Sequence, residues 1–415
     1  MANTGASVSW RRNLAAIWFT ELVAIAAFAV AVPFLPFFVQ ELGVQGEREV
    51  RLWAGLVFST HAIAMGICGP IWGALSDRYG RKVMVERAMF GGAVVIALVG
   101  WAQNMGQFMV LRALWGGLTG TITAATTLVA STTPRERVGH ALGLLQMAIY
   151  IGSSTGPLLG GVVADAFGYR ATFWVTGALL FLAGLGVLIF VKEDFDPITR
   201  PAEKKRVSDG EGLGLHRRVW GQLAPVLSSP AVLAVLGVHL LARTGTHMMA
   251  PVLPLFIQEI APADARVAFL TGLISGASGA LGAVGALGLG RLGDRIGYRG
   301  ILIACAAAAA ALYVPQFSAG DPTTLLFLQA GTGLAMGGIM ASLGASLARL
   351  SPPGRQGIVY GVEGTVISIA HGLGPALGSV LMAWVGLRMP FLAAAILFAT
   401  AGIAAARSLP RDSPR

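Results

Sequence analysis

Ionisable side chains stand inside long apolar stretches of this sequence. Glu21 is one of them, and a second group, His239, Arg243 and His247, follows a spacing of four. That spacing puts the second group on one face of a helix, as a polar stripe that would not be turned towards lipid. A charge at the centre of a bilayer costs about 2.5–3.5 kcal/mol on insertion scales, so these residues are candidates for function. The chemistry open to them is proton binding and the pairing of charge with a solute.

Simpler roles are open to several residues of this kind. Arg112 and Glu21 could be structural partners of a carbonyl, a carboxylate or a cation. Glu363 is near enough to the end of its apolar stretch to lie at a membrane surface instead. His61 and His371 are interpreted as packed, hydrogen-bonded residues, because buried polar groups usually find a partner.

The composition excludes several classes of protein. Of 415 residues, 55% are hydrophobic and 12% are charged, against about 25% charged in a typical soluble domain. The mean hydropathy is +0.71, which excludes an ordinary soluble globule, a disordered chain and a collagen-like fibre. Two cysteines cannot build a disulfide framework, and no metal-ligand spacing or phosphate-binding loop is present, so we expect no cofactor. The class is a polytopic membrane protein.

Twelve apolar stretches have the length of about 20 residues that crosses a hydrocarbon core as a helix. They lack the alternation and the roughly 10-residue length of barrel strands. The sequence therefore predicts an all-α membrane protein with twelve transmembrane helices. The stretches, called spans 1 to 12, lie near residues 14–39, 51–72, 83–102, 106–130, 139–164, 172–191, 230–258, 266–289, 300–318, 323–347, 357–383 and 389–407.

The distribution of Lys and Arg predicts the orientation. Most of the 30 basic residues fall on one side of the predicted helices, and two fall inside spans. The positive-inside rule then places both termini in the cytoplasm. This asymmetry explains the net charge of +10, so we expect no nucleic-acid partner. The N-terminus lacks the features of a cleavable signal. The basic residues on the other side are Arg48, Arg51, Arg170, Arg266 and Arg388.

The two parts of the chain resemble each other at an offset of 218 residues. The shift takes Pro33 to Pro251, for example, and a shift of 217 takes Asp77 and Arg78 to the same pair of residue types. Six spans in each part give a parallel repeat about an axis along the membrane normal, as in transporters that rock around a central site. We therefore predict an N-terminal six-helix bundle (1–191), a cytoplasmic linker (192–229) with an interfacial helix near 216–223, and a C-terminal six-helix bundle (230–415).

Two motifs stand out against this repeat. The hairpin between spans 2 and 3 reads GALSDRYGRK over residues 73–82, with two glycines for a tight turn and charges that can pair with each other and with helix ends. Its second copy, at 290–299, has Tyr298 where the first has Arg81, so we expect weaker pairing there. Span 5 carries glycines four apart, a bare stripe for close helix approach, and a proline that removes one backbone hydrogen bond. These glycines and the proline are Gly143, Gly152, Gly156, Pro157, Gly160 and Gly161.

Together these patterns resemble the major facilitator superfamily. The hairpin is similar to its signature loop, and span 5 resembles the antiporter motif of its drug:proton antiporter branch, with a degenerate copy in span 11. The Arg112–Gly116 element and the Pro33–Pro36 element resemble two more elements of that branch. The resemblance covers the whole chain and is closest to bacterial multidrug-resistance efflux members with twelve spans. It implies a conformational latch formed by Gly73, Asp77, Arg78, Gly80, Arg81, Asp294 and Arg295.

The resemblance implies proton-driven export of amphiphilic, drug-like molecules by alternating access, with spans 1 and 7 lining a central cavity. Proton coupling is then expected from Glu21, Arg112 and Glu363. A transporter of a defined metabolite, such as a sugar or a lipid-linked glycan, is the alternative, and no catalytic constellation for an enzyme is found. The expected setting is the inner membrane, with small molecules, protons and lipid as partners of a monomer. The cavity is predicted to be lined by Glu21, Phe28, Arg112, His239, Arg243 and His247.

Overall fold

Helices make up the regular structure of the chain. The computed structural model describes residues 10–134, 137–193, 228–351 and 356–409, and every regular element in those ranges is a helix. The helices cross the molecule twelve times, which confirms the all-α, twelve-span fold. Most of the predicted linker, including its interfacial helix, lies outside the described residues.

Spans 1 to 6 form the N-terminal half. Span 1, Trp10–Glu41, contains a short 3-10 turn at Val32–Phe34, where Pro33 has no N–H for an α-helical hydrogen bond. Span 4 is also in two pieces, Met105–Leu118 and Thr121–Thr132. The other four are span 2 (Glu47–Tyr79), span 3 (Arg81–Val99), span 5 (Val138–Phe167) and span 6 (Tyr169–Phe190).

Spans 7 to 12 form the C-terminal half. Span 10 begins after Asp321, whose carboxylate accepts a hydrogen bond from the backbone N–H of Thr324 and so caps the helix. Asn104 caps span 4 in the same way. The six spans are Pro230–Ile260, Val267–Ile296, Tyr298–Phe317, Pro322–Leu350, Gln356–Trp384 and Met389–Ser408.

The helices are generally longer than the apolar stretches that predict them. Span 2, predicted near 51–72, continues to Tyr79, because a helix can extend beyond the hydrocarbon into polar residues that hydropathy does not count. Eleven helices have an apolar window with at most two charged residues. Span 3 is the exception, since its first two turns carry Arg81, Lys82, Glu86 and Arg87.

The repeat is visible in the packing of each half. Phe38 meets Phe173 edge-on at 4.8 Å between ring centroids, and 218 residues later Phe256 meets Phe391 at 4.9 Å. Ion pairs repeat as well: the carboxylate of Glu41 lies 2.6 Å from Arg170 Nε, and that of Glu259 lies 3.2 Å from Arg388 Nη2.

The hairpin between spans 2 and 3 has the same turn conformation as its repeat counterpart between spans 8 and 9. Their turns place Gly80 at φ +95° and Gly297 at φ +100°, in the left-handed region that glycine tolerates best. Most buried apolar side chains fall into two large clusters, one within residues 14–191 and one within 232–409 that also takes in Val50 and Ala54.

The two halves meet mainly on one side of the molecule. We call the side on which span 1 begins and span 12 ends the terminal side, and the other the far side. Ser59 Oγ of span 2 donates to the carbonyl of Gly372 in span 11 at 2.8 Å, and the Phe269 N–H of span 8 donates to Asp165 of span 5 at 3.0 Å. Both contacts lie towards the far side.

The halves part towards the terminal side. A Cβ added to Gly69, Gly73, Gly288 or Gly361 would meet no atom within 4 Å, whereas one added to Gly55 would clash with span 11. The described structure is therefore closed on the far side and open on the terminal side.

At the far ends of spans 1 and 7, an amide pair lies across the pseudo-twofold axis. Gln40 Nε2 donates to Gln258 Oε1 at 2.9 Å, and Gln258 Nε2 donates back to Gln40 Oε1 at 3.2 Å. These two residues are related by the repeat offset, so a residue and its own repeat counterpart contribute to the closure.

Candidate functional site

The glycine stripe of span 5 sets how closely span 1 can approach. Gly152, Gly156 and Gly160 all lie against span 1, and a Cβ on Gly156 would be 2.4 Å from the carbonyl oxygen of Ala26. The repeat reproduces this in the C-terminal half, where a Cβ on Gly378 of span 11 would be 2.5 Å from the Met248 carbonyl of span 7.

The remaining motif residues of span 5 have other neighbours. A Cβ on Gly161 would lie 2.7 Å from the Ala268 carbonyl of span 8, and Gly272 of span 8 lies against the carbonyl of Pro157. Gly143, near the terminal side, has open space around it. The motif therefore packs one half internally and also joins it to the other.

A central cavity of about 400 Å³ lies between spans 1, 5, 7, 8, 9 and 10. Its apolar wall includes Met249, Met336 and Met340. Its polar wall includes hydroxyl and amide groups of Tyr150, Ser153, Thr246, Tyr313, Gln329 and Thr332. Among the described lining residues, Arg243 is the one charged side chain and none is acidic.

Spans 7 and 11 carry a ladder of polar residues next to this cavity. In the first rung, His239 Nδ1 lies 3.3 Å from Glu363 Oε1, a close polar contact without the geometry of a hydrogen bond. In the second rung, the rings of His247 and His371 are 3.7 Å apart between centroids. His239 and His247 are eight residues apart on span 7, and Glu363 and His371 are eight residues apart on span 11. Because the two helices run in the same direction, the residues of each rung are separated by the same 124 positions.

Arg243 lies between the rungs and connects them to the cavity. Its Nε donates to His239 Nε2 at 3.2 Å. Because a guanidinium only donates, Nε2 of His239 must be the unprotonated ring nitrogen, and the proton sits on Nδ1, beside Glu363. Glu363 and Tyr150 also act electrostatically on the guanidinium. Arg243 is thus shared between the ladder and the cavity wall.

Glu21 lies in a different place. It is fully buried, and its oxygens make no hydrogen bond of standard geometry, although the hydroxyl of Thr121 in span 4 lies close enough to interact with them. It does not line the cavity, and the polar neighbours of His239 are Arg243 and Glu363. In this conformation Glu21 is therefore separated from the cavity that Arg243 lines.

Arg112 anchors an aromatic group in the N-terminal half. Its Nε donates to the Val57 carbonyl of span 2 at 3.2 Å, and its guanidinium lies 4.5 Å from the Trp115 ring. Phe28 stacks on the other side of the group, 5.9 Å from Trp115. His61 meets the same ring edge-on at 5.3 Å and lies within electrostatic range of Arg112 and His371.

The latch residues lie on the terminal side, where the halves part. Arg78 lies over the Tyr79 ring, and the N–H groups of Arg81 and Lys82 donate to the carboxylate of Glu193, which caps span 3. In the second copy, Tyr298 donates to Asp294, and Arg295 is exposed. The side chain of Asp77 is outside the described part of the structure.

Of the six residues predicted to line the cavity, Arg243 alone is among its described lining residues. His239 and His247 belong to the ladder with Glu363, and the other three predicted residues lie elsewhere: Glu21, Phe28 and Arg112. Sequence reasoning missed His371 as a partner of His247. The signal was present, since Glu363 and His371 repeat the eight-residue spacing of His239 and His247. It also missed Gln329 and Tyr150, because nothing in a single sequence tells which face of a polar helix borders a cavity.

Metal binding has no support in the described residues, where no group of three or more His, Cys, Asp or Glu side chains could hold an ion.

Relatives and solved structures agree on the family. "Multidrug resistance protein MdtG" of Enterobacter lignolyticus (strain SCF1) is 36% identical over 397 residues, covering 96% of this chain and 92% of the relative. The protein of that name from Salmonella arizonae is 34% identical, covering 94% of each chain.

Among solved structures, a bacterial homologue of the human lysosomal transporter Spinster, inward-facing and unoccupied, superimposes with a TM-score of 0.71 at 14% identity over 97% of both chains. The human organic anion transporter MFSD10 gives 0.64 at 17% identity, over 96% of this chain and 99% of that one. The sequence model of the Major Facilitator Superfamily matches residues 17–306 and 235–415. The chain is therefore a membrane transporter, not an enzyme, and it belongs to the Major Facilitator Superfamily.

Proposed function

We propose that the protein exports drug-like amphiphilic molecules across the inner membrane in exchange for protons, by alternating access. The observation that carries the proposal is the joint placement of Arg243, in the wall of a central cavity and in contact with a titratable ladder. The multidrug-resistance relatives over nearly the whole chain support the same conclusion.

The cavity wall favours a substrate class. Arg243 offers hydrogen-bond donors to oxygen atoms, and the described lining has no carboxylate that could face a permanent cation in the cavity. The methionine wall suits irregular apolar groups, because the thioether side chain adapts its shape. The proposed substrates are therefore amphiphiles that are uncharged or anionic and carry an oxygen acceptor.

The ladder supplies a route for coupling. Glu363 is a charge partner of Arg243, so protonating the carboxylate leaves a largely buried guanidinium without its counter-charge. A buried charge without a partner is destabilised, and water or a solute acceptor must replace the partner. Proton binding at Glu363 would thus change both the occupancy of the cavity and the preferred conformation. Glu21 stays a second proposed proton site.

The orientation follows from the charge pattern. We place the open, terminal side in the cytoplasm, since the basic hairpins, the start of span 1 and the end of span 12 lie there. The described state would then be the one that loads substrate. We propose a monomer surrounded by lipid.

Transport in proteoliposomes with an imposed pH gradient tests the proposal. An uncharged fluorescent amphiphile should move against its concentration gradient when protons flow the other way, and a permanent cation of similar shape should move poorly. Arg243→Gln should weaken transport of oxygen-bearing substrates roughly tenfold to a hundredfold, the range for hydrogen bonds from a charged group. Accumulation of neither probe under any gradient would contradict the proposal.

A further inference from the structure

Spans 9 and 10 carry a second group of polar residues at the cavity, separate from the ladder of spans 7 and 11. Gln329 and Thr332 of span 10 line the cavity, and behind them lies Gln316 of span 9, which is fully buried. Gln316 Nε2 donates to Thr332 Oγ1 at 2.9 Å, and Gln329 Nε2 donates to Gln316 Oε1 at 3.0 Å. Three buried polar side chains thus form one connected network.

The hydroxyl of Thr332 determines the direction of each hydrogen bond in this network. Thr332 donates its only hydroxyl proton to the Leu328 carbonyl at 2.9 Å, so its oxygen can only accept from Gln316. That requirement turns the NH₂ group of Gln316 towards Thr332 and its carbonyl towards Gln329. Gln329 must therefore donate an N–H to Gln316. Its own Oε1 accepts no hydrogen bond from a described residue.

At the corresponding positions of the N-terminal half, this network has no equivalent. Gly116 and Gly333 each lie against a backbone carbonyl, of His61 and Ser278 respectively, at 2.2 and 2.1 Å from a built Cβ. Both pairs are related by a shift of 217 residues. By the same shift Gln316 corresponds to Val99, a buried apolar residue, and Gln329 corresponds to Arg112. An apolar residue fills the first position in the N-terminal half, so helix packing by itself does not require a buried amide there.

We propose that Gln316 is a positioning residue for substrate selection: it fixes the amide of Gln329 so that Oε1 presents a hydrogen-bond acceptor to the cavity. Substrates with a hydroxyl or amide N–H donor at that end would be preferred over analogues that lack it. This inference rests on the proposed export function. Gln329 Oε1 would supply a hydrogen-bond acceptor and Arg243 supplies a donor. The cavity would then select substrates that carry both a donor and an acceptor.

The test compares two uncharged probes that differ only in the donor. A dansyl-labelled alkyl alcohol and its methyl ether are exported by wild-type protein in proteoliposomes with an imposed pH gradient. The alcohol should be favoured roughly threefold to tenfold, the value of one neutral hydrogen bond. Gln316→Met, which keeps the volume and removes both hydrogen bonds, should bring this ratio to about one by slowing the alcohol alone.

Further variants separate positioning from a structural role. Gln329→Leu should give the same ratio as Gln316→Met, and the double variant should be no worse than either, because the two residues act as one unit. Thr176→Val is the control, since it removes a comparably buried hydrogen bond in the N-terminal half and should leave the ratio unchanged. If Gln316→Met fails to fold, Thr332→Val releases the same network with little change of shape.

The outcomes are distinct. An unchanged ratio in Gln316→Met, or an equal loss of both probes, overturns the inference while wild-type transport still supports the proposed function. Equal export of both probes by wild-type protein also overturns the inference alone. A wild-type protein that exports neither probe contradicts the proposed function, and the inference falls with it.

Discussion

Arg243 interacts with more than one polar side chain, including one carboxylate, and it links the ladder to the cavity wall. Its guanidinium donates to His239 and acts on Glu363 and Tyr150, which come from spans 11 and 5. Span 5 belongs to the other half of the molecule. A change of charge at Glu363 is therefore felt by a residue that bridges both halves, which is what coupling a proton to a conformational change requires.

Glu363→Gln should uncouple transport. The substitution preserves the shape of the side chain and removes its titration, so a pH gradient can no longer act through this residue. One pH unit supports about tenfold accumulation per exchanged proton, and the variant should show none. Flow of the probe down its own gradient should persist. The measurement is accumulation in proteoliposomes with and without the imposed gradient.

Glu86→Gln is the matched control, because Glu86 pairs with Lys82 on span 3, away from the cavity. Glu21→Gln should be measured alongside. If it abolishes gradient-driven export and Glu363→Gln leaves it intact, the coupling proton belongs to the N-terminal half and the role of the ladder is wrong.

At the scale of elements, the small residues of span 5 decide how the helices pack. Gly156→Ala would place a methyl group 2.4 Å from the Ala26 carbonyl oxygen and from the Ala29 Cβ, and a backbone atom cannot move aside like a flexible side chain. We expect a loss of roughly 1–3 kcal/mol of stability, the usual cost of overpacking.

Gly143→Ala provides the comparison within the same helix, since its methyl group would meet open space. It should be neutral or stabilising by up to about 1 kcal/mol, from helix propensity alone. Thermal unfolding of the purified variants in detergent measures both. Equal unfolding temperatures for the two would show that the close contact of spans 1 and 5 is not required.

The amide pair of Gln40 and Gln258 is one of the contacts between the halves on the far side. Introducing Gln40→Glu together with Gln258→Glu replaces two hydrogen bonds by a repulsion. The far-side-open population should rise by roughly threefold to tenfold, since a solvent-exposed pair contributes modestly. Distances between spin labels at the far ends of spans 1 and 7 report this population. Gln40→Glu alone, which retains an acceptor for Gln258, should have a smaller effect, and an equal effect would contradict the interpretation.

The sequence was sufficient for these elements but not for the site. Apolar length and matched prolines and glycines predict helices and a repeat, because membrane helices must satisfy their hydrogen bonds internally and pack through small residues. The neighbours of Glu21 could not be predicted in that way. Its repeat counterpart, His239, contacts Glu363, whereas Glu21 is enclosed near Thr121, and that difference depends on helix rotation, which periodicity does not fix.

At the scale of the whole molecule, the twelve spans place both chain ends on one side. A green fluorescent protein fused after Arg415 should therefore be fluorescent in bacterial cells, and alkaline phosphatase fused there should be inactive, because the C-terminus is expected in the cytoplasm. Fusions made in the loop between Glu41 and Glu47 should give the opposite pair of results. Active phosphatase at the C-terminus would reverse the orientation and the assignment of the open side.

The closure formed by Gln40 and Gln258 carries no ionisable group of its own. Protonation therefore cannot act on these two hydrogen bonds directly, whereas the contact on the same side from the Phe269 N–H to Asp165 ends on a carboxylate. The amide pair thus holds the ends of spans 1 and 7 together in a way that does not depend on the acidity of the surrounding solution.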